Sequence, residues 1–333
     1  MENQPNPSVS VVIIFLNGEP YIEEAIDSVF AQTESDWELL LVDDGSTDGS
    51  SEIARRRAAE APDRVRYLEH PGHANLGMSA SRNLGISEAR GRYLAFLDAD
   101  DIWLPERLEK HLKILDKHPE VGMVYGPTLF WYSWRDLPPG QRHLKDYSAD
   151  LTLESGRPIP PPRALLRFLE SGGGALPGIC SLLVRLDLVR SVGGFEPDFR
   201  GVFEDQVFLS KVCMAAPVFV YGEVLDKYRQ HPDSHCHQAI ETGEYHPTHP
   251  NPARKRYLDW LAAYLDERGV KQGPLIEALA YELEPYQNNW RYTLRANPAF
   301  RFARQAMRRT LPPGTYGWLQ SKLSAQLAAG RRS

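Results

Sequence analysis

Aspartates follow two apolar runs of the sequence, and their spacing is typical of a site that binds a cation. The runs LLLVDD and YLAFLDADD end in five of them, Asp43, Asp44, Asp98, Asp100 and Asp101. Like charges held together raise the free energy of a folded chain unless a cation or hydrogen-bond donors compensate. Asp98 and Asp100 are two residues apart, so both side chains can point the same way from an extended strand end.

Carboxylate oxygens suit Mg²⁺ or Mn²⁺ as ligands. Mg²⁺ typically takes one or two carboxylates and fills its shell with phosphate oxygens and water. The aspartates therefore favour a Mg²⁺ or Mn²⁺ site. The alternative is that they cap a helix that begins in DDIWLPERLEKHL, and the sequence pattern alone leaves both possibilities open.

Strands and helices must alternate along the first hundred residues to bring the two acidic runs together. Strands are predicted in SVSVVIIFL, WELLLVDD, VRYLEH and RYLAFLDADD, and helices in EPYIEEAIDSVFAQT, SSEIARRRAAEA and MSASRNLGISEA. This order predicts an α/β chain with a mainly parallel, Rossmann-like sheet flanked by helices. In such sheets ligands bind beyond the carboxyl ends of the strands, which is where both acidic runs lie.

The composition is that of a globular protein with a sizeable core. The chain has 333 residues, of which 42% are hydrophobic and 25% charged, which suits one large domain with an appendage or two domains. Its three cysteines form no ligand pairs, and its first residues lack the pattern of a signal peptide. We therefore expect a reducing, cytoplasmic location, and any membrane contact to be peripheral because no apolar stretch is long enough to span a bilayer.

The net charge of −6 conceals an asymmetry. Residues 291–333 contain nine basic residues and no acidic one, so removing those nine charges from the total leaves about −15 for the preceding part. An acidic body argues against binding to nucleic acid, whereas a basic segment indicates an anionic surface or partner.

Several motifs of the chain resemble those of the inverting family 2 glycosyltransferases of the GT-A fold. VVIIFLN, EEAIDSVFAQT, ELLLVDDGSTDGS, NLGMSASRNLGI and YLAFLDADD occur in the order and spacing of that family. Farther on, VGGFEPDFRGVFEDQVFL is similar to its acceptor-side segment with a Glu-Asp motif, and YRQHPDS to a histidine motif of many members. The resemblance covers roughly residues 8–236.

The resemblance implies a nucleotide-sugar donor, with a UDP-sugar as the expected donor, and a divalent cation. Asn17 and Glu19 match positions that border the donor pocket, Asp44 matches the position that recognises the base, and Asn75 and Arg82 match nucleotide-contacting positions. These roles are carried over from the family and are not worked out from spacing.

The same resemblance implies which residues bind the metal. Asp98 and Asp100 match the Asp-x-Asp motif, in which Asp100 corresponds to the direct metal ligand and Asp98 to a contact with the ribose or a metal-bound water. His231, in YRQHPDS, matches a contact with the metal or diphosphate. Bound Mn²⁺ or Mg²⁺ would neutralise the departing diphosphate.

The Glu-Asp motif supplies the candidate for the acceptor side. An inverting transfer needs a base that takes the proton from the attacking hydroxyl. Asp205 matches the family's base, and Glu204 matches a residue that positions the acceptor or tunes its neighbour. As a bare pair ahead of an apolar helical segment, either residue could instead be a helix cap.

Two features depart from the family pattern. Leu16 stands where many members have an aromatic residue that stacks on the base, which weakens the inference about the base. QNNWR has the residues of the processive members' Gln-x-x-Arg-Trp motif in another order, and no membrane helices accompany it. We therefore expect a non-processive enzyme.

One stretch of the chain is rich in possible zinc ligands. It contains Cys236 and five histidines, namely His231, His235, His237, His246 and His249. Because no cysteine pairs accompany them and Pro and Asp interrupt the stretch, the pattern favours a loop over a zinc site.

Three segments are expected in the chain. Residues 1–110 form the nucleotide-sugar-binding half of the GT-A domain, residues 111–249 the acceptor-binding half, and residues 250–333 a basic appendage of helices. Residues 253–288 are expected to be a helical clasp on the catalytic domain. For 291–333, packing, solvation and docking to membrane lipid or a partner all stay open.

Three classes of function are compatible with these observations. The first is a metal-dependent inverting glycosyltransferase that transfers a sugar to a hydroxyl of a glycan, lipid-linked or other small acceptor. The second is a sugar-nucleotide nucleotidyltransferase, which would need a glycine-rich opening that is absent after the first strand. The third is a catalytically silent nucleotide-sugar-binding protein, which would have no need of Asp205.

Overall fold

The computed structural model describes residues 6–136, 139–148, 150–172, 176–246 and 250–287. All seven elements predicted for the first hundred residues form within a few residues of the predicted limits. They are β1 (Val9–Phe15), α1 (Ile22–Phe30), β2 (Trp37–Asp43), α2 (Ser50–Glu60), β3 (Val65–Glu69), α3 (Met78–Glu88) and β4 (Tyr93–Asp98).

In the rest of the described chain the strands are shorter, with two to four residues each. The elements of this part are β5 (Ile102–Trp103), α4 (Arg107–Lys117), β6 (Met123–Tyr125), β7 (Leu129–Trp131), β8 (Tyr147–Ser148), β9 (Pro158–Ile159), α5 (Arg163–Glu170), β10 (Leu183–Arg185), α6 (Leu186–Ser191), α7 (Glu204–Ala215), β11 (Val218–Val220), β12 (Asp226–Arg229), α8 (His235–Glu241), α9 (Pro252–Glu267) and α10 (Pro274–Gln287).

Eight strands form one sheet in the order β3-β2-β1-β4-β10-β6-β11-β9. The first four are parallel, as predicted, whereas β10 is antiparallel to both β4 and β6. The sheet is therefore mixed. In its register Phe15 pairs with Asp43, and Ile14 with Asp98, so the ends of β1, β2 and β4 meet at one edge. A second, smaller sheet has the order β5-β12-β7-β8.

The strands are buried on both faces because helices cover both faces of the large sheet. Alternate residues of β1 belong to two different apolar clusters, Val12 and Ile14 to one and Val11 and Ile13 to the other, as the period of two requires. Helix α3 lies very close to β1. A Cβ atom added to Gly85 would lie 2.6 Å from Val12 Cγ1, so only glycine fits there.

Helices α9 and α10 are packed on the body of the protein. Their apolar residues join the same cluster as α5 and α7, with Leu258, Leu261 and Leu279 buried. The part of the predicted appendage that is described therefore packs against α5 and α7. Residues 291–333 lie outside the described residues. In the described part of the chain, no helix is both long and apolar enough to cross a bilayer.

Candidate functional site

The carboxyl end of β4 carries Asp98, which a buried arginine joins to the start of α7. Arg82, on α3, donates from Nη2 to Asp98 Oδ1 at 2.9 Å and from Nη1 to Glu204 Oε1 at 2.7 Å. Its side chain is 2% exposed and that of Glu204 is 8% exposed, so their ion pair is shielded from water, whereas Asp98 is 30% exposed. The structure thus brings three of the predicted site residues into direct contact.

The charges of this trio depend on one another. Burial raises the pKa of the Asp98 carboxyl and Arg82 opposes that rise, but the net pKa stays above its ordinary value because Asp100 also raises it. Burial lowers the pKa of Arg82, and the two carboxylates more than reverse this. A charged Arg82 therefore compensates carboxylates that would be costly to bury alone.

Asp100 faces the predicted histidine. His231 Nε2 lies 2.9 Å from Asp100 Oδ2, and His231 Nδ1 lies 3.3 Å from the hydroxyl of Tyr21. Carboxylates suit Mg²⁺ and Mn²⁺, and imidazole is a common metal ligand. Among the described residues, no group of three or more His, Cys, Asp or Glu side chains is placed to hold a metal. The pair fits a cation whose remaining ligands come from phosphate and water.

Asp101 turns away from this pair into the protein. It is buried, and its Oδ1 accepts from the backbone N–H of Arg229 at 2.9 Å. Burial raises its pKa well above the ordinary value, and the neighbouring Asp100 and Asp98 add to the effect. None of the three aspartates caps α4, since that helix begins after Glu106 and has no side-chain cap. The capping alternative is therefore wrong for these residues.

Arg229 is a contributor that we did not predict. Its Nε donates to the carbonyl of Asp100 at 2.7 Å, and its guanidinium carbon lies between 4.8 and 5.3 Å from the ring centroids of Trp131, Trp134 and Tyr21. This aromatic box fixes the arginine and through it the backbone at Asp100. The signal in the sequence is that Arg229 belongs to the same YRQHPDS motif as His231.

The predicted base-recognising residue, Asp44, holds the start of α3. Its Oδ1 accepts from the backbone N–H of Leu76 at 2.9 Å and from Ser81 Oγ at 3.0 Å, and its Oδ2 accepts from the N–H of Gly77 at 3.0 Å. These bonds orient the carboxylate at the sheet edge. Oδ1 has two protein donors within 3.0 Å, whereas Oδ2 has one.

Two exposed leucines have backbones close to Asp44, because Asp44 accepts from the N–H of Leu76 and donates its own N–H to the carbonyl of Phe15, the residue before Leu16. Leu16 follows β1 and is 47% exposed, and Leu76 precedes α3 and is 44% exposed. Exposed apolar side chains near a polar group are typical of a binding surface for a ligand with an apolar face. The predicted nucleotide contact Asn75 adjoins Leu76, and its carbonyl accepts from Arg200 Nη2 at 3.0 Å.

Asn17 and Glu19 shape the loop after β2. Asn17 has a left-handed backbone with φ of 53°, and its Oδ1 accepts from the N–H of Thr47 at 2.8 Å. Glu19 Oε2 accepts from the N–H of Gly49 at 2.9 Å. Both side chains thus border the same edge of the sheet, and both are engaged with the loop.

Glu204 and Asp205 are the first two residues of α7. The residue before them, Phe203, is buried in a left-handed conformation with φ of 77°, which is strained for a bulky residue and typical of functional sites. Among the described residues, Asp205 Oδ1 accepts a hydrogen bond only from the N–H of Gln206, at 2.7 Å. Burial and the charge of Glu204 raise the pKa of Asp205 to about 7, where a base is effective.

Of the residues that the structure describes, Cys236 and the histidines of the zinc alternative form no group of three that could hold a metal. His231 contacts Asp100, as described above, and His237 lies 3.3 Å from Glu241 on its own helix. His249 lies outside the described residues. Of this stretch, the structure connects only His231 with the carboxylates at the end of β4.

Sequence comparison identifies the family. The sequence model of glycosyl transferase family 2 matches residues 10–182, just over half of the chain. The matched part contains Asp44, Arg82, Asp98 and Asp100 and ends before Glu204.

One curated relative and two solved structures illustrate the similarity. The putative teichuronic acid biosynthesis glycosyltransferase TuaG of Bacillus subtilis is 40% identical over 110 residues, which are 33% of this chain and 42% of that protein. The chain thus covers less than half the length of TuaG.

S. aureus TarS 1-349 in complex with UDP matches with a TM-score of 0.61 and 17% identity, over 84% of this chain and 71% of that one. The mannosyltransferase PcManGT from Pyrobaculum calidifontis in complex with GDP-Man and Mn²⁺ matches with a TM-score of 0.57 and 19% identity, over 97% and 81%. At such identities the structures show the fold, which is the GT-A fold. Fold and family together lead to one conclusion: the chain is a glycosyltransferase and belongs to glycosyl transferase family 2.

Proposed function

We propose that the chain is a metal-dependent, inverting glycosyltransferase that takes its sugar from a nucleotide diphosphate donor, a UDP-sugar. The acceptor is a hydroxyl of a glycan, lipid-linked or other small molecule. The observation that carries this proposal is that Arg82 forms two ion pairs. One is with Asp98 on the donor side, and the other is with Glu204 on the acceptor side.

The donor side supports a nucleotide sugar. Asp44 lies at the edge of the sheet and accepts from the N–H of Leu76, whose side chain is exposed, as is that of Leu16 at the end of β1. TarS, which shares the fold, binds UDP, although PcManGT binds GDP-Man. A preference for UDP therefore rests on the family resemblance of Asp44 and on this geometry.

The acceptor side supports inversion by a single displacement. The carboxylate of Asp205 takes the proton of the acceptor hydroxyl while that oxygen bonds to the anomeric carbon and the bond from that carbon to the diphosphate oxygen breaks. Arg82 lies against Glu204, so its positive charge favours ionisation of the carboxylates beside it. When bound at Asp100 and His231, Mn²⁺ or Mg²⁺ would supply positive charge for the departing diphosphate.

Glycan assembly at the cell surface is the biological setting that we propose. TuaG is named for teichuronic acid biosynthesis, and its similarity covers only 33% of this chain. The similarity therefore supports the class of pathway more than it supports a particular acceptor.

Calorimetry with UDP tests the donor and metal together. We expect UDP to bind much more tightly with Mn²⁺ than with EDTA, and Asp100→Asn to lose most of that difference. Asp63→Asn is the matched control, because Asp63 is exposed and lies just before β3, at the opposite edge of the sheet. Equal UDP affinity with Mn²⁺ and with EDTA would refute the metal dependence. Transfer or hydrolysis should then be measured with a panel of nucleotide sugars.

A further inference from the structure

A cavity lies beside the loop that leads into Glu204 and Asp205. It has a volume of about 240 Å³. Its lining residues are Phe199, Arg200, Gly201, Val202, Glu244, Pro252, Ala253 and Arg256. It is smaller than the roughly 300–1,000 Å³ of sites for drug-sized ligands, so it suits one small group of a larger molecule.

Two guanidinium groups line this cavity without a carboxylate partner. Arg200 donates from Nη2 to the carbonyl of Asn75 at 3.0 Å, and Arg256 donates to the carbonyl of Asp198 at 2.5 Å. Within the described residues, these two arginines have no carboxylate contact, and the Arg256 guanidinium also lies 4.9 Å from the ring centroid of Phe199. A guanidinium has five N–H donors, so most of the donors of both arginines are available.

One negative side chain faces these two positive ones. Glu244 lines the same cavity, and a Cβ atom added to Gly201 would lie 3.7 Å from its Oε1. The lining therefore has a net charge of +1. The first turn of α9, a helix of 16 residues, also lines the cavity through Pro252 and Ala253 and adds positive potential there.

Phosphate is the group that this lining recognises best. Arginine forks match phosphate oxygens with two parallel hydrogen bonds, and a phosphate group fits a small cavity. The cavity also has a defined place in the reaction. Residues 199–202 run directly into the first turn of α7, and Arg200 reaches across to Asn75 on the donor side. The cavity therefore adjoins the loop that precedes Asp205.

We propose that the cavity at Arg200 and Arg256 binds a phosphate group of the acceptor, so that this transferase acts on a phosphate-bearing acceptor. The inference rests on the proposed function for its biological meaning. The binding of phosphate itself does not depend on transfer and can be measured separately.

Calorimetric titration of the full chain with inorganic phosphate tests the site. The donor site is first saturated with UDP and Mg²⁺, so that phosphate cannot bind there. We expect saturable binding that Arg256→Gln weakens about tenfold or more, as for loss of hydrogen bonds to a charged group. Glu244→Gln should tighten binding several-fold because it removes the opposing charge.

The expected tighter phosphate binding of Glu244→Gln tests the site even if Arg256→Gln disturbs the loop. UDP affinity should be the same in the wild type and both variants, which separates this site from the donor site. Equal phosphate affinity in all three proteins would overturn the proposal. Tighter binding of glucuronate than of phosphate would also overturn it, since the site would then be one for carboxylates. Repeating the titration without UDP gives a result that stands even if the donor proposal fails.

Two sources of acceptor phosphate can be distinguished with vesicles. Co-sedimentation with phosphatidylcholine vesicles that contain phosphatidic acid is compared with co-sedimentation with phosphatidylcholine alone. If Arg256→Gln reduces the difference, the phosphate belongs to a lipid-linked acceptor. If the vesicles show no such reduction while inorganic phosphate still does, the phosphate belongs to a soluble glycan.

Discussion

Asp205 combines burial with the nearby charge of Glu204, and both keep its proton bound to a higher pH than is usual for an aspartate. Its pKa is raised to about 7. Because the proton acceptor must be ionised, the same environment that destabilises the carboxylate makes it a stronger base near neutral pH. Arg82 moderates this effect from the other side of Glu204.

We expect Asp205→Asn to lose transfer by roughly 10²-fold or more, while UDP binding with Mn²⁺ is retained. In the wild type, kcat/KM should rise with pH through about 7, and the residual activity of the variant should lack this rise. The matched control is Asp187→Asn. Asp187 is exposed, stands in the first turn of α6, and accepts from the N–H of the next residue at 2.7 Å, as Asp205 does.

The same pKa predicts a stability effect with the opposite direction in pH. The folded-state pKa of Asp205 is above the unfolded value of about 3.9, so the folded state holds the proton more tightly. Its contribution to the free energy of unfolding is present below about pH 4 and is lost as the pH rises to about 7. Urea unfolding between these pH values should show a weaker decline in Asp205→Asn than in the wild type, and an equal decline would contradict the raised pKa.

At the residue scale, spacing identified Asp98 and Asp100 because both chemistry and geometry are local to one strand end. The double pairing of Arg82 could not be predicted, since Glu204 follows it by 122 positions and only the fold brings them together. Asp101 shows a further limit. Its type and position are those of a ligand, yet its carboxylate accepts from Arg229 in the interior.

Helix α3 connects the donor site to the core, because it carries Arg82 and its first turn is held by Asp44. Its distance from β1 is set at Gly85, where a Cβ atom would lie 2.6 Å from Val12 Cγ1. An alanine is favoured over glycine by about 0.5–1 kcal/mol in a helix interior, but overpacking in a core typically costs 1–3 kcal/mol. The clash should therefore outweigh the gain in propensity.

We expect Gly85→Ala to lower the free energy of unfolding by about 1–3 kcal/mol before the gain in helix propensity is subtracted. Urea unfolding followed by circular dichroism measures this change. Gly140→Ala is the control, because no atom lies within 4 Å of an added Cβ there, and we expect it to stay within about 0.5 kcal/mol of the wild type. If the two variants were equally stable, the close approach of α3 and β1 would be wrong.

At the element scale, the sequence predicts the long strands and not the short ones. β1 and β2 are mostly apolar strands of seven residues, all buried, and such runs are recognisable alone. β6, β10 and β11 have three residues each, which is too short to show a period. The insertion of β10 against β4 depends on long-range packing, so no local pattern indicates it.

Charge is distributed unevenly along the chain, and this distribution bears on the location of the protein in the cell. Residues 291–333 carry nine basic residues and no acidic one, together with Phe300, Phe302 and Trp318. Cations interleaved with aromatic side chains suit the interface of an anionic membrane. We therefore propose peripheral contact with the inner face of the membrane through this segment.

Deleting residues 291–333 should sharply reduce co-sedimentation with vesicles that contain anionic lipid. The full chain should bind neutral vesicles weakly, and its binding to anionic ones should fall as salt is raised, because the attraction is screened. A deletion variant that sediments as well as the full chain would refute the contact. Retained UDP binding in that variant would show that its catalytic domain is still folded.

The place of β10 in the large sheet has a consequence for how the chain is synthesised. β4 ends at Asp98, but the strand that covers its second edge begins only at Leu183. At the usual roughly 5–20 residues per second, a ribosome needs several seconds to make the intervening chain. During that time the nascent protein presents an apolar strand with unpaired backbone groups. We expect a chaperone that shields strand edges to bind such a nascent chain until β10 has been synthesised.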